Sequence, residues 1–222
     1  MTTTKTIANA IENRASFFNR LRPVLAPSDL LRVEVAYALA KHAHRHQERK
    51  ELDVDGRPIR YFEHLRGTAL VLIDELKIID PDMVIACLMH DSLEDTDDIS
   101  DRMLEHLFGR RVTMMVKLLT KEDPKENYYP RLMAHADDAT AIIKGCDRLH
   151  NLRSMKDCSE EFVRKQLEET NNRVFALLDH RIDSAATQPE NSILCKLRQM
   201  LFTQCRAVAI VHKLSPFPYW IY

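Results

Sequence analysis

The sequence predicts an all-α fold. Three observations carry that expectation: only four glycines occur in 222 residues, no proline interrupts Arg131 to Gln188, and apolar residues recur at helical spacing. Few breakers leave long stretches free to stay helical. The periodic sets are Val35, Leu39 and Ala43, then Val163, Leu167, Val174 and Leu178, then Leu194, Leu197, Leu201 and Val208. No comparable run alternates with the period of two that marks a half-buried strand.

Taken in order, helices are expected near 5–20, 28–49, 60–77, 82–93, 100–107, 110–120, 137–155, 160–182 and 191–212. Pro81 followed by Asp82 is a good helix start, because the first turn leaves the proline nitrogen without a partner anyway. Asp53, Asp55, Gly56 and Pro58 make 51–58 a loop or small hairpin. A second break is read from Glu122 to Pro130, and Asp97 and Asp98 are read as caps for the helix starting near Ser100. The tail from Pro216 to Tyr222 is the one shift in composition, with two prolines and four aromatic side chains.

Composition narrows the function classes. Lys plus Arg total 32 against 33 for Asp plus Glu, so no overall basic excess draws the chain to nucleic acid or an anionic membrane. The longest strongly apolar run, Met83 to Met89, falls far short of the roughly 20 residues that span a bilayer. Five scattered cysteines without a C-x-x-C pair suggest neither a disulfide framework nor a zinc ribbon. A reducing cytoplasm is the expected location.

The chemistry concentrates in Met83 to Asp98, MVIACLMHDSLEDTDD, where an apolar helix runs into His90, Asp91, Glu94 and Asp95. Asp91 with Glu94, Asp91 with Asp95 and His90 with Glu94 are helical neighbours. At a helix C-terminus, each carboxylate meets the negative end of the macrodipole at a cost of a few tenths to about 1 kcal/mol. A divalent metal would neutralise the crowd, and a vicinal His-Asp pair suits Mn, Fe or Zn better than Ca or Mg alone. His64 precedes the apolar face of Leu65, Ala69, Leu72 and Ile73, so its ring can point inward. Asp147, Asn151 and Ser154 continue the apolar stripe of Ile143 as a polar one, the pattern of a buried helix face opening into a pocket. Taken singly, His64 or Asp147 is more often a core or capping residue than a ligand. The other eight histidines, His150 among them, are read as structural, with His44 or His46 at most bordering a pocket.

The ordered set His64, His90-Asp91 and Asp147 resembles the H…HD…D signature of the HD phosphohydrolase superfamily. Neighbouring words narrow the resemblance. HDSLEDT is similar to the HDxxEDT of the RelA/SpoT-type hydrolase domain, and KGCDRLHNLRSM to its K-x-x-DRLHNMRT. HQERK before YFEH matches the GQ-x-RK segment in part, FGRRVTMMVKLLTKE resembles the FG-x-x-V…VTK helix, and RKQLEET the helix that follows. The likeness runs from about Ala43 to His180.

The resemblance implies an HD-domain helical bundle holding Mn2+ through His64, His90, Asp91 and Asp147. It makes Glu94 and Asp95 the catalytic acids and gives Arg49, Lys50 and Asn151 contacts to base, sugar or phosphates. The implied reaction releases pyrophosphate from the 3′ position of guanosine tetra- or pentaphosphate. A small-molecule nucleotide is therefore the expected partner, with neither nucleic acid nor membrane. The expected organisation is an N-terminal helical segment at 1–27, a hydrolase core at 28–182, and a helix with aromatic tail at 183–222. That last part is expected to pack on the core, with a homo-oligomer contact or latch as the alternative. The synthetase and regulatory domains of long family members do not fit in 222 residues, so a free-standing small alarmone hydrolase is expected.

One departure affects the substrate. The family's RK-SGEPY turn is replaced by the longer, more acidic Arg49 to Pro58, which opens the base preference to adenosine alarmones or another 3′-phosphorylated nucleotide. A generic HD phosphohydrolase and a catalytically inactive nucleotide-binding module are the rival readings. The Glu94-Asp95-Thr96 and DRLHN words count against the first, and the complete set of ligands and acids against the second.

Overall fold

A computed structural model describes residues 12–52, 55–121, 128–184 and 190–214. Among them the chain is helical apart from one two-stranded hairpin. Two helices open the fold, α1 (Arg14–Leu21) and α2 (Pro27–Ala43), followed by β1 (Glu48–Leu52) paired antiparallel with β2 (Pro58–Arg60). Next come α3 (Phe62–Leu70), continued by a π-helical turn at Val71–Glu75, then α4 (Pro81–Met89) and the single turn α5 (Ser92–Asp95). The remaining helices are α6 (Asp101–Phe108), α7 (Arg110–Leu119), α8 (Tyr128–His135), α9 (Asp138–Arg153), α10 (Glu160–Glu169), α11 (Phe175–Ser184) and α12 (Glu190–Val211).

Two buried helices organise the rest. In α4 every residue from Met83 to Met89 is buried, so this helix has no solvent face and sits between α2, α3, α7 and α9. Its start follows the proline logic: Pro81 occupies the first turn, and the Asp80 carboxylate accepts from the backbone N–H groups of Asp82 and Met83. Helix α9 is buried from Thr140 to Leu149 and again at Leu152, packed by α3, α4, α7, α11 and α12. Burial therefore reaches Lys144, Asp147 and Arg148, whose charges must find partners inside the protein. At the N-terminal side, Phe17 and Phe18 of α1 both pack tilted against Tyr37 of α2.

Several expected boundaries shift. The helix expected over 28–49 stops at Ala43, and Glu48–Leu52 is a strand despite its helix-favouring composition, because pairing with β2 overrides local propensity. The span expected as one helix at 82–93 breaks at His90 and Asp91 before α5 resumes. The expected break at 122–130 contains the start of α8: Pro130 sits in its first turn, where no N–H is needed. Residues 122–127, and the first seven of the helix expected at 5–20, lie outside the described residues. The cap before α6 is Ser100, whose hydroxyl accepts from the Met103 N–H; Asp98 instead pairs with Arg45 at 2.8 Å. Gly109 ends α6 at φ 85°, a conformation that disfavours any side chain, and starts α7. The aromatic tail lies outside the described residues.

Candidate metal centre and nucleotide cleft

Three stretches bring four ligand atoms together. His64 comes from the first turn of α3, His90 and Asp91 from the end of α4, and Asp147 from the buried middle of α9. His64 Nε2 lies 3.2 Å from Asp147 Oδ1 and 3.6 Å from Asp91 Oδ2; His90 Nε2 lies 3.0 Å from Asp91 Oδ2 and 3.7 Å from Asp147 Oδ1. Two ligands held about 2.1 Å from one ion stand roughly 3.0–3.4 Å apart in octahedral or tetrahedral arrangement, so these spacings suit a single small cation. Ligand atoms of His64, His90 and Asp147 all fall within 4.8 Å of one another, the one such group found among the described residues.

The hydrogen bonds around the cluster are consistent with metal ligation. His90 Nδ1 faces the Cys87 carbonyl oxygen at 2.8 Å, which places the proton there and leaves Nε2 a lone pair. Nε2 is buried and makes no hydrogen bond, an orphaned acceptor that a cation would satisfy. Asp91 Oδ2 accepts from the Tyr61 hydroxyl at 2.7 Å, and Asp147 accepts from Asn151 Nδ2 at 2.6 Å on Oδ1 and from Lys144 Nζ at 2.9 Å on Oδ2. Buried His and Asp at this spacing, with oriented outer partners, fit a divalent transition ion.

Burial disfavours charge throughout the cluster, and the pairings then split the groups. It pulls the His64 imidazole down despite Asp147, whereas at His90 Asp91 and Asp147 outweigh burial and raise the ring well above the ordinary histidine value, so their negative field draws to Nε2 either a proton or, in its place, a cation. Asp147 stays well below the ordinary carboxylate range because Lys144 and the two imidazoles outweigh its burial. Glu94 and Asp95 behave oppositely. Although both are solvent-exposed, the walls of the cleft desolvate them and Asp91 repels them, so both carboxyls are raised. Glu94 also accepts from the Lys121 N–H at 3.0 Å, which aims its head group across the cleft.

These groups line a cavity of about 180 Å³ to which Lys121, Lys144 and Arg148 add cationic side chains among the carboxylates. Arg148 is buried and bound to Glu169 at 2.9 Å. His64 also lines a second cavity, of about 290 Å³, bounded by Arg49, Glu51, Ile59 and Ser154. There Arg49 grips Glu51 at 2.8 and 3.1 Å and donates to Asn151 Oδ1 at 3.1 Å and Ser154 Oγ at 3.0 Å.

Of the residues singled out in the sequence, His64, Asp91, Asp147, Glu94, Asp95 and Asn151 thus border one cleft, His90 lies buried against Asp91, and Arg49 borders the neighbouring cavity. The Lys50 side chain lies outside the described residues. Sequence reasoning missed Tyr61, Lys121, Lys144 and Arg148, and it left His150 as structural although its Nδ1 sits 3.0 Å from His64 Nδ1. Lys144 stands three residues before Asp147 and Arg148 directly after it in the KGCDRLHN run, and that spacing was the available signal.

Comparison with known proteins gives the family. The family described as HD domain matches residues 36–185. The chain is 33% identical over 124 residues to the guanosine-3′,5′-bis(diphosphate) 3′-pyrophosphohydrolase MESH1 of Danio rerio, covering 54% of this chain and 67% of that protein. It is 35% identical over 164 residues to the guanosine-3′,5′-bis(diphosphate) 3′-pyrophosphohydrolase of Aquifex aeolicus, covering 70% of this chain but only 22% of that longer protein. A solved structure described as a metazoan orthologue of SpoT that hydrolyses ppGpp superposes with a TM-score of 0.62 at 24% identity, over 83% of this chain and 98% of the other, a likeness of fold.

Proposed function

We propose that this chain, which belongs to the HD domain family in its RelA/SpoT-type branch, hydrolyses the 3′-pyrophosphate of guanosine tetra- or pentaphosphate to pyrophosphate and GDP or GTP. The carrying observation is the convergence of His64, His90, Asp91 and Asp147 from three separated stretches beside a cleft lined by both carboxylates and cationic side chains. Relatives whose names state this hydrolysis support the same reading.

In this reading the four residues hold Mn2+. The bound ion supplies Lewis-acid polarisation of a phosphoryl oxygen and eases deprotonation of water. Glu94 and Asp95, raised by their cleft, orient the attacking water and accept its proton. Lys121, Lys144 and Arg148 face the incoming pyrophosphate and offset its charge, which an acidic pocket alone would repel. Arg49, Lys50 and Asn151 hold the nucleoside, with Arg49 preset by Glu51 and Ser154. The chemistry is assigned to a core of 28–182, with 1–27 and 183–222 as flanking supports.

Incubating the purified protein with Mn2+ and a panel of guanosine and adenosine 3′-pyrophosphates, beside nucleoside mono- and triphosphates, tests the proposal by chromatography of the products. Release of pyrophosphate with GDP is the expected result. Turnover of the mono- or triphosphates instead would point to a generic HD phosphohydrolase, and binding without turnover to an inactive module.

A further inference from the structure

The sequence repeats one spacing at the two helices that face each other across the centre. On α3, His64 is followed three residues later by Gly67; on α9, Asp147 is followed three residues later by His150. A three-residue step returns to the same helix face. Asp147 and His150 therefore both point at α3, the first towards Nε2 of His64 at 3.2 Å and the second towards its Nδ1 at 3.0 Å. The two imidazole rings sit with centroids 5.0 Å apart and planes inclined by 54°.

Gly67 is what admits the second ring. A Cβ at this position would lie 2.0 Å from Nε2 and 2.3 Å from Cδ2 of His150, so any side chain here must expel the imidazole from its slot. Glycine in a helix interior is destabilising relative to alanine, and here it coincides with a close approach that no other residue allows.

From this arrangement we propose that His150 is a positioning residue for the metal centre, seated by Gly67 and acting through His64. The inference rests on the reading of His64 as a metal ligand. A ligand nitrogen must present a lone pair, so His64 has to carry its proton on Nδ1. That proton is donated to Nδ1 of His150, which in turn keeps its own proton on Nε2, in the slot beside Gly67. The contact fixes both the tautomer and the ring plane of His64, the part that a carboxylate or backbone carbonyl plays behind most metal-bound histidines. At His90 the Cys87 carbonyl does this directly; His64 uses a second imidazole.

The test compares Mn2+ binding, by calorimetric titration, in the unmodified protein, His150→Leu, His150→Asn and Gly67→Ala, with thermal melting of each metal-free protein as the fold control. His150→Leu and Gly67→Ala should weaken Mn2+ binding ~10- to 100-fold, the usual cost of losing an outer partner. His150→Asn keeps an acceptor at the Nδ1 position and should stay within a few-fold of the unmodified protein. In the unmodified protein loaded with Zn2+, long-range nitrogen NMR of the imidazoles should show His64 protonated on Nδ1 and His150 on Nε2, a readout that needs no variant. A His64 protonated on Nε2, or a folded His150→Leu with unchanged Mn2+ affinity, overturns the inference alone. An unmodified protein that binds neither ion overturns the metal reading and this inference with it.

Discussion

Nδ1 of His90 lies 2.8 Å from the carbonyl oxygen of Cys87, one turn earlier on α4. The bond leaves a buried Nε2 with a lone pair and no hydrogen-bond partner. His90→Ala is therefore expected to abolish stable metal retention. Elemental analysis of the purified variant beside the unmodified protein checks this, and equal metal content would exclude His90 from the ligand set.

Glu94 stands at the cleft rim, tethered by the Lys121 N–H and outside the group of ligand atoms. Glu94→Gln should lower kcat by about 10²–10⁴, the usual contribution of a general acid or base. Metal content and substrate affinity should persist, since the amide carbonyl can still accept from Lys121. Single-turnover kinetics combined with equilibrium binding separates the two effects.

Removing the ion should loosen the fold itself. A ligand that binds only the native state stabilises it by about 2.7 kcal/mol at a concentration 100 times its Kd. Melting curves with a chelator and then with excess Mn2+ should differ accordingly. His64→Ala and Asp147→Ala proteins should show little of that difference.

Arg148 and Glu169 set an acid limit on stability. Burial opposes charge on Glu169, but the Arg148 guanidinium at 2.9 Å and the Tyr129 hydroxyl at 2.7 Å outweigh it and hold the carboxyl below its ordinary value of 4.5. A depressed carboxyl stabilises fully above its unfolded pKa, and the benefit is lost as pH falls through the lower folded value. Glu169→Ala strands a buried guanidinium and should cost about 3 kcal/mol at neutral pH. Urea unfolding of both proteins should show that difference shrinking once the pH drops below 4.5.

Arg49 spans three partners, Glu51, Asn151 and Ser154, at the edge of the second cavity. Arg49→Ala should raise KM about tenfold, consistent with a charged hydrogen bond of about 1.5 kcal/mol or more. Steady-state assays should find kcat changed far less, because the Arg49 guanidinium bonds to Glu51, Asn151 and Ser154 rather than to His64, His90 or Asp147.

The meeting of His64, His90, Asp91 and Asp147 was legible because each sits beside apolar residues that mark its helix face. Met83 to Met89 lead into His90 and Asp91, Ile143 precedes Asp147, and Leu65 and Ala69 follow His64. Partners set by tertiary distance were not legible. His150 meets His64 across 86 residues, and nothing local distinguishes it from the seven other histidines set aside. Lys121 enters the cleft only because α7 ends there. The strand Glu48–Leu52 was hidden for a related reason: its charged, helix-favouring residues pair with Pro58–Arg60 through backbone bonds that side-chain patterns do not reveal.

The absence of a solvent side on α4 ties two properties that many enzymes evolve separately. From Met83 to Met89, a side chain of altered volume has no solvent to expand into, so the strain falls on the packed neighbours and on His90-Asp91 at the helix end. Substitutions at these seven interior positions thus bear on core packing and on the placement of His90 and Asp91 together. A lineage adapting to a hotter habitat could not repack this rod without also disturbing that pair.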